Sequence, residues 1–164
     1  MIYAIIFWTG IFLLVWAWAG YPAILGILSW RRQPLTSHRD LPVRSDSGLS
    51  VTIIVPVYNA EQALERKLRN CLNLDYPRER FNVIVASDGS SDGSPTVARR
   101  FAGEHSNIDF VESAERLGKS AVQNLAAATA VGDILLLTDV DAVLSPDALR
   151  LVTRLFRHAE QNTL

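Results

Sequence analysis

Apolar side chains follow one another without a polar face over the first thirty residues, whereas from Val51 onward apolar and polar positions alternate in short blocks. Residues 1–30 contain no Asp, Glu, Lys or Arg. A helix of that length reaches ~45 Å against a hydrocarbon core of ~30 Å, so the run predicts a transmembrane helix over 1–30. Pro22 removes a backbone donor next to Gly20 and Tyr21 and predicts a kink there. All four tryptophans fall in this stretch, and Trp8 and Trp30 are spaced to sit near the two interfaces. Arg31, Arg32, Arg39 and Arg44 follow the span and no basic residue precedes it. The positive-inside rule therefore places everything after residue 31 in the cytoplasm, and the span is expected among the lipids of the plasma (inner) membrane. Ala17-Trp18-Ala19 offers a competing reading as a signal-peptide cleavage site, but a basic leader is missing and the apolar run continues past it.

Residues 31–50 lose all apolar periodicity and read as a linker. Beyond it, Val51 to Val57 reads as a buried strand and Ala60 to Leu72 as a helix with Leu64, Leu68, Cys71 and Leu72 on its apolar side and a Glu65–Arg69 pair on its wet side. Phe81 to Ala86 is a second strand, followed by a helix from Ser94-Pro95. Ile108 to Val111 is a third strand, and Leu117 to Ala130 a helix capped by Gly132. Ile134 to Thr138 is a fourth strand, apolar on both faces, and Ser145-Pro146 opens a last helix reaching about His158. Strand–helix alternation of this kind predicts an α/β, Rossmann-like parallel sheet with helices on both faces and ligands at the carboxyl ends of the strands.

Composition narrows the functional classes. A net charge of -1 and a pI near 6.3 supply no basic field, which sets nucleic acid aside as a partner. Cys71 is the single cysteine, so it has no disulfide or CxxC partner and reads as a small buried hydrophobe.

The loops after the strands hold the candidate chemistry. The first carries Pro56, Val57, Tyr58, Asn59 and Glu61: an aromatic ring beside amide and carboxylate groups suits a hydrogen-bonding base, although Asn59 also reads as a helix N-cap and Glu61 as a first-turn anion. The second, Ser87 to Ser94, has Asp88 as an acceptor and Gly89 where a backbone approaches closely. It approximates the start of an EF-hand but has Arg99 where the bidentate Glu belongs. The third gives Gly118-Lys119-Ser120, which is not a P-loop because Ser113 stands where glycine is required. Lys119 is one of only two lysines, with Lys67, and at a helix start it suits a phosphate or a base carbonyl, with a solvated surface lysine as the plain alternative. The fourth is the sharpest: Asp139-Val140-Asp141 directly follows an apolar strand. Two carboxylates so placed repel unless a cation joins them, and Mg²⁺ or Mn²⁺ would let a diphosphate approach.

Taken in order, VPVYNAE, DYPRERFNVIVASDGSSDGS, GKSAVQNLAAATAVGD and LLLTDVDAVLSP resemble the donor half of family-2 glycosyltransferases with the GT-A fold, from Val51 to about Phe156. The span ending in Gly20-Tyr21-Pro22 is similar to that of membrane-bound polysaccharide synthases in this group. The resemblance implies that Pro56, Tyr58, Glu61, Asp88 and Lys119 line a uridine site, with Asp139 near the ribose and metal and Asp141 a metal ligand. Ala60 stands where many relatives carry the acid, so Glu61 is a displaced substitute.

The implied function is inverting transfer from a nucleotide sugar, a UDP-sugar, to a glycan or lipid acceptor. Residues 51–164 then form the donor-nucleotide half, and the catalytic base and acceptor groove are expected beyond Leu164, in a complementing half or a partner subunit. The alternative from another class is a membrane-anchored module that binds a sugar nucleotide without chemistry. Nucleotidyltransferases and dinucleotide dehydrogenases are disfavoured because no glycine-rich phosphate loop follows Val57.

Overall fold

The computed structural model describes residues 1–30 and 48–161. Apart from residues 48–50, the expected linker therefore lies outside the described residues, as do Arg31, Arg32, Arg39 and Arg44. The chain divides into two compact units, Met1–Pro42 and Val43–Leu164.

The first unit is helical throughout what is described: α1 (Ile2–Val15), a π-helical turn (Trp16–Gly20) and α2 (Tyr21–Trp30). Trp16 and Tyr21 keep right-handed helical backbone angles, so the three pieces run on from one another. The widened turn falls immediately before Pro22, where the Tyr21 N–H reaches back to the Trp16 carbonyl. Proline has no N–H for the carbonyl four residues earlier, and a π turn absorbs that mismatch. The stretch Ile2–Ile27 has a mean hydropathy of 2.0 and buries none of its side chains, so it is long and apolar enough to cross a membrane.

In the second unit a four-stranded parallel sheet has the order β3-β2-β1-β4, from β1 (Val51–Val57), β2 (Phe81–Asp88), β3 (Ile108–Ser113) and β4 (Ile134–Leu137). The helices are α3 (Glu61–Leu72), α4 (Ser94–Glu104), α5 (Lys119–Ala127) and α6 (Ala148–Gln161). Alternation along β1 and β2 sorts side chains to two faces. Val51, Ile53, Val55, Val83 and Val85 pack with Leu64, Leu68, Phe101 and Leu149 from α3, α4 and α6. Ile54, Ile84 and Ala86 pack on the other face against Val122 and Ala126 of α5. Helices thus cover both faces, as strands without a polar side require.

Four local expectations are corrected. β4 is apolar in sequence on both faces, yet Leu135 and Leu137 are exposed. It is an edge strand paired only with β1, and α5 packs over β1, β2 and β3. The α5 helix is shorter than the apolar pattern suggests, ending at Ala127, and Gly132 does not cap it. A Cβ on Gly132 would stand 2.6 Å from the Thr52 nitrogen, so the glycine instead admits the chain beside the start of β1, where its N–H donates to Thr52 Oγ1. Ser145-Pro146 precedes α6 as a turn, closed by the Ala148 N–H on the Ser145 carbonyl. Asn59 is not the N-cap of α3, a place taken by Ala60. Cys71 is buried, and burial pushes its thiol up to about 11, which leaves it protonated and inert.

Several carboxylates are held below their ordinary range, Asp133 by the N–H and hydroxyl of Ser50, and Asp75 by Arg150. A carboxyl with a lowered folded pKa contributes stability above its unfolded value, and that contribution is lost as pH falls through the folded value. The thermal midpoint is therefore expected to hold from neutral pH down to about pH 4 and to decline below it. In an acid series of melting curves, Asp133→Asn should start lower and decline less steeply than the parent protein.

Candidate functional site

Each loop that leaves the carboxyl end of a strand is pinned by a neighbour. Asn59 adopts a positive φ of 47°, which asparagine tolerates, and its side-chain carbonyl accepts the Ser91 N–H at 2.8 Å while its own N–H donates to Ser90 Oγ at 3.1 Å. Asp92 accepts the Ser94 and Glu61 N–H groups at 2.9 and 3.1 Å. Burial raises the Asp92 pKa, but these bonds and one from the Ser94 hydroxyl outweigh it and hold the group low. The Glu61 carboxylate lies over Gly93, where a Cβ would collide with it. The first two loops are thereby fastened to each other.

The third loop is fastened to the second by Asp88. That carboxylate, only 5% exposed, accepts the Leu117 N–H at 2.7 Å and the Gly118 N–H at 3.0 Å. Gly89 turns the chain away at φ 65° directly against the Glu115–Arg116 peptide, 2.9 Å from where a Cβ would sit, so a side chain there is excluded twice over. Gly118, at φ 92°, starts α5 and presents Lys119.

The fourth loop turns at once: the Thr138 N–H still pairs with the Ile54 carbonyl, and the Ala142 N–H closes back on the Asp139 carbonyl at 3.2 Å. Lys119 Nζ meets Asp139 Oδ1 at 2.5 Å, with both side chains more than half exposed. An ion pair that open contributes little to stability, so it is free to exchange partners.

These loops enclose a cavity of about 410 Å³. Pro56, Val57, Tyr58, Ala60 and Ala63 line one side, Asp88, Lys119 and Val122 another, and Asp139, Val140 and Asp141 a third. The volume lies within the ~300–1,000 Å³ usual for small-molecule sites. Of the residues singled out in the sequence, Asn59, Glu61 and Gly89 do not line this cavity; their observed contacts hold the loops that do. Arg116 was not anticipated: its guanidinium lies 4.1 Å from the centre of the Tyr58 ring, over one face. Ala63 was missed as well, although its place in the first turn of α3 is the signal that would have found it.

The comparisons with known proteins agree with this architecture. The Glycosyl transferase family 2 model matches residues 52–163. Glycosyltransferase AglD of Haloferax volcanii is 35% identical over 98 residues, covering 58% of this chain and 16% of that protein. Glycosyltransferase AglE of the same organism is 31% identical over 91 residues, covering 56% of this chain and 30% of its own. The chain thus spans less than a third of the length of either relative. Among solved structures, the mannosyltransferase PcManGT from Pyrobaculum calidifontis, in complex with GDP-Man and Mn²⁺, superimposes with a TM-score of 0.69 at 33% identity, over 87% of this chain and 42% of that one. TarS 1-349 of S. aureus, in complex with UDP-GlcNAc, gives a TM-score of 0.62 at 22% identity over 67% of this chain and 32% of its own, a likeness of fold alone. With the sheet, its loops and the family match in agreement, the fold is that of the GT-A glycosyltransferases, and the chain belongs to glycosyl transferase family 2.

Proposed function

We propose that the cavity at the carboxyl edge of the sheet is a donor site for a nucleoside diphosphate sugar, a UDP-sugar in the first instance, used for inverting transfer to a glycan or lipid acceptor. One observation carries this reading: Asp139, Asp141 and Lys119 open into the same cavity as Tyr58 and the buried Asp88. In this reading Tyr58 gives the base a flat apolar surface, Asp88 holds the loop that forms the base pocket, and Lys119 exchanges Asp139 for a phosphate oxygen. The PcManGT complex, with its nucleotide sugar and Mn²⁺, supports the class of ligand.

A divalent ion fits the donor set. Among the described residues no three His, Cys, Asp or Glu side chains converge. Two hard, exposed carboxylates are nevertheless what Mg²⁺ or Mn²⁺ takes when phosphate oxygens and water complete the shell. Asp139 and Asp141 would hold it, and it would supply charge neutralisation for the departing diphosphate.

In this proposal the apolar N-terminal helix anchors the chain in the inner membrane with the donor site cytoplasmic, where sugar nucleotides are found. PcManGT is more than twice as long as the matched part, and the acceptor groove and catalytic base are assigned to the portion of the fold that the matched residues do not cover.

Calorimetry of the full chain in detergent, titrated with UDP with and without Mn²⁺ and with GDP as comparator, tests the reading. Mn²⁺-dependent binding of UDP is expected, and heat-free titrations with both nucleotides would reject it. Tyr58→Ala is expected to weaken UDP by ~1–3 kcal/mol, the usual worth of stacking a base on an aromatic ring, in the same titration. An equal loss for inorganic diphosphate would place the ring elsewhere.

A further inference from the structure

Lys67 lies within α3 on the face that buries Leu64, Leu68 and Cys71, and it is only 2% exposed. Taking an ammonium out of water is costly unless it is fully hydrogen-bonded. Its Nζ donates to Thr138 Oγ1 at 2.8 Å and to the Ala142 carbonyl at 2.7 Å. Those acceptors belong to the residues immediately before and after Asp139-Val140-Asp141, so one buried cation grips both ends of the acidic turn. Burial lowers the Lys67 pKa, and the carboxylates of Asp139 and Asp141 act against that shift.

Simple attachment of this segment to α3 does not require a charge. Asn70, one turn on, already docks it with a neutral pair of bonds, Nδ2 to the Leu144 carbonyl and Oδ1 from the Leu144 N–H, both 2.9 Å. An apolar side chain at position 67 would fill the same space without the desolvation cost. What the ammonium adds is a positive charge bonded to both ends of the turn that carries two like-charged groups, together with a fixed span between those ends.

We infer that Lys67 is a positioning residue of the donor site: its buried ammonium sets the spacing of the Asp139 and Asp141 carboxylates and offsets their repulsion before metal and diphosphate arrive. The inference rests on the reading of the cavity as a metal–diphosphate site. Removing a group that orients metal ligands typically weakens metal binding by about 10–100-fold.

The test uses the full chain in detergent, with Mn²⁺–UDP and metal-free uridine as separate probes. Lys67→Met is expected to weaken Mn²⁺–UDP at least about tenfold and to leave uridine within about twofold. Asn70→Ala, which removes only the neutral attachment, should lower the thermal midpoint and leave Mn²⁺–UDP within about threefold. Thr138→Val takes one acceptor from the ammonium and carries the same test if Lys67→Met does not fold, with a loss of about three- to tenfold for Mn²⁺–UDP. Equal Mn²⁺–UDP affinity in variant and parent, or a parallel loss of uridine and Mn²⁺–UDP, overturns the inference alone. A parent chain that binds no Mn²⁺–UDP overturns the reading of the site and this inference with it.

Discussion

Replacing Asp139 and Asp141 together with alanine is expected to abolish the gain in UDP affinity that Mn²⁺ brings, a loss of about 100-fold or ~2.7 kcal/mol. The sign without metal differs, and that makes the variant informative. Both carboxylates line the cavity and Lys119 is paired with Asp139. Their removal takes away two charges that repel a diphosphate and frees the Lys119 ammonium to meet it. Metal-free UDP should therefore bind the variant as well as the parent or slightly better. Because both side chains are exposed, the thermal midpoint should barely move, in keeping with surface changes of about 0.5 kcal/mol or less. Isothermal titration of the two proteins with and without Mn²⁺ separates these effects.

Asp88→Ala is expected to be the most destabilising single change at the site, by ~2–4 kcal/mol in a denaturant titration. The carboxylate is buried and accepts the N–H groups of Leu117 and Gly118. Alanine leaves both donors without the carboxylate that fastens their loop. Asp88→Asn keeps one acceptor oxygen and should lose about half as much. UDP affinity should fall in both variants in the order of their stability loss, since the loop released is the one that presents Lys119. A stable Asp88→Ala protein with intact binding would show that this clamp is dispensable.

The fold was legible wherever local pattern and tertiary packing agree. The β1 strand is buried along nearly its whole length, so its run, apolar except for Thr52, appears in the structure with the bounds the sequence suggests. The α3 and α4 helices carry their apolar stripes against one sheet face for the same reason. Sequence misled where a neighbour decides the outcome. A strand apolar on both faces does not tell that Leu135 and Leu137 are exposed, because apolarity cannot say that β4 lies at an edge of the sheet. Gly132 looked like a helix cap, yet it is required by the close approach of Thr52, eighty positions earlier in the chain. At the site, the residue types that carry charge at strand ends were visible, whereas the bonds that fasten one loop to another were not. Asn59 and Glu61 look like ligand groups in a linear reading, and only the second loop shows what they hold. Lys67 did leave a trace: a lysine three residues after Leu64, on a helix face otherwise apolar, is a cation in need of buried acceptors. Its acceptors lie seventy-one and seventy-five residues away, which no local pattern records.

In the proposed site Asp139 and Asp141 hold a divalent ion together with a nucleoside diphosphate. Electron paramagnetic resonance of Mn²⁺ titrated into the full chain with UDP tests it most directly, because the sharp signal of aqueous Mn²⁺ is lost when the ion enters a protein site. Relative to a protein-free Mn²⁺–UDP blank, the free-ion signal should be lost up to one equivalent in the parent protein and should match the blank in the double alanine variant. A signal that matches the blank in the parent, or is lost equally in both proteins, would contradict this assignment.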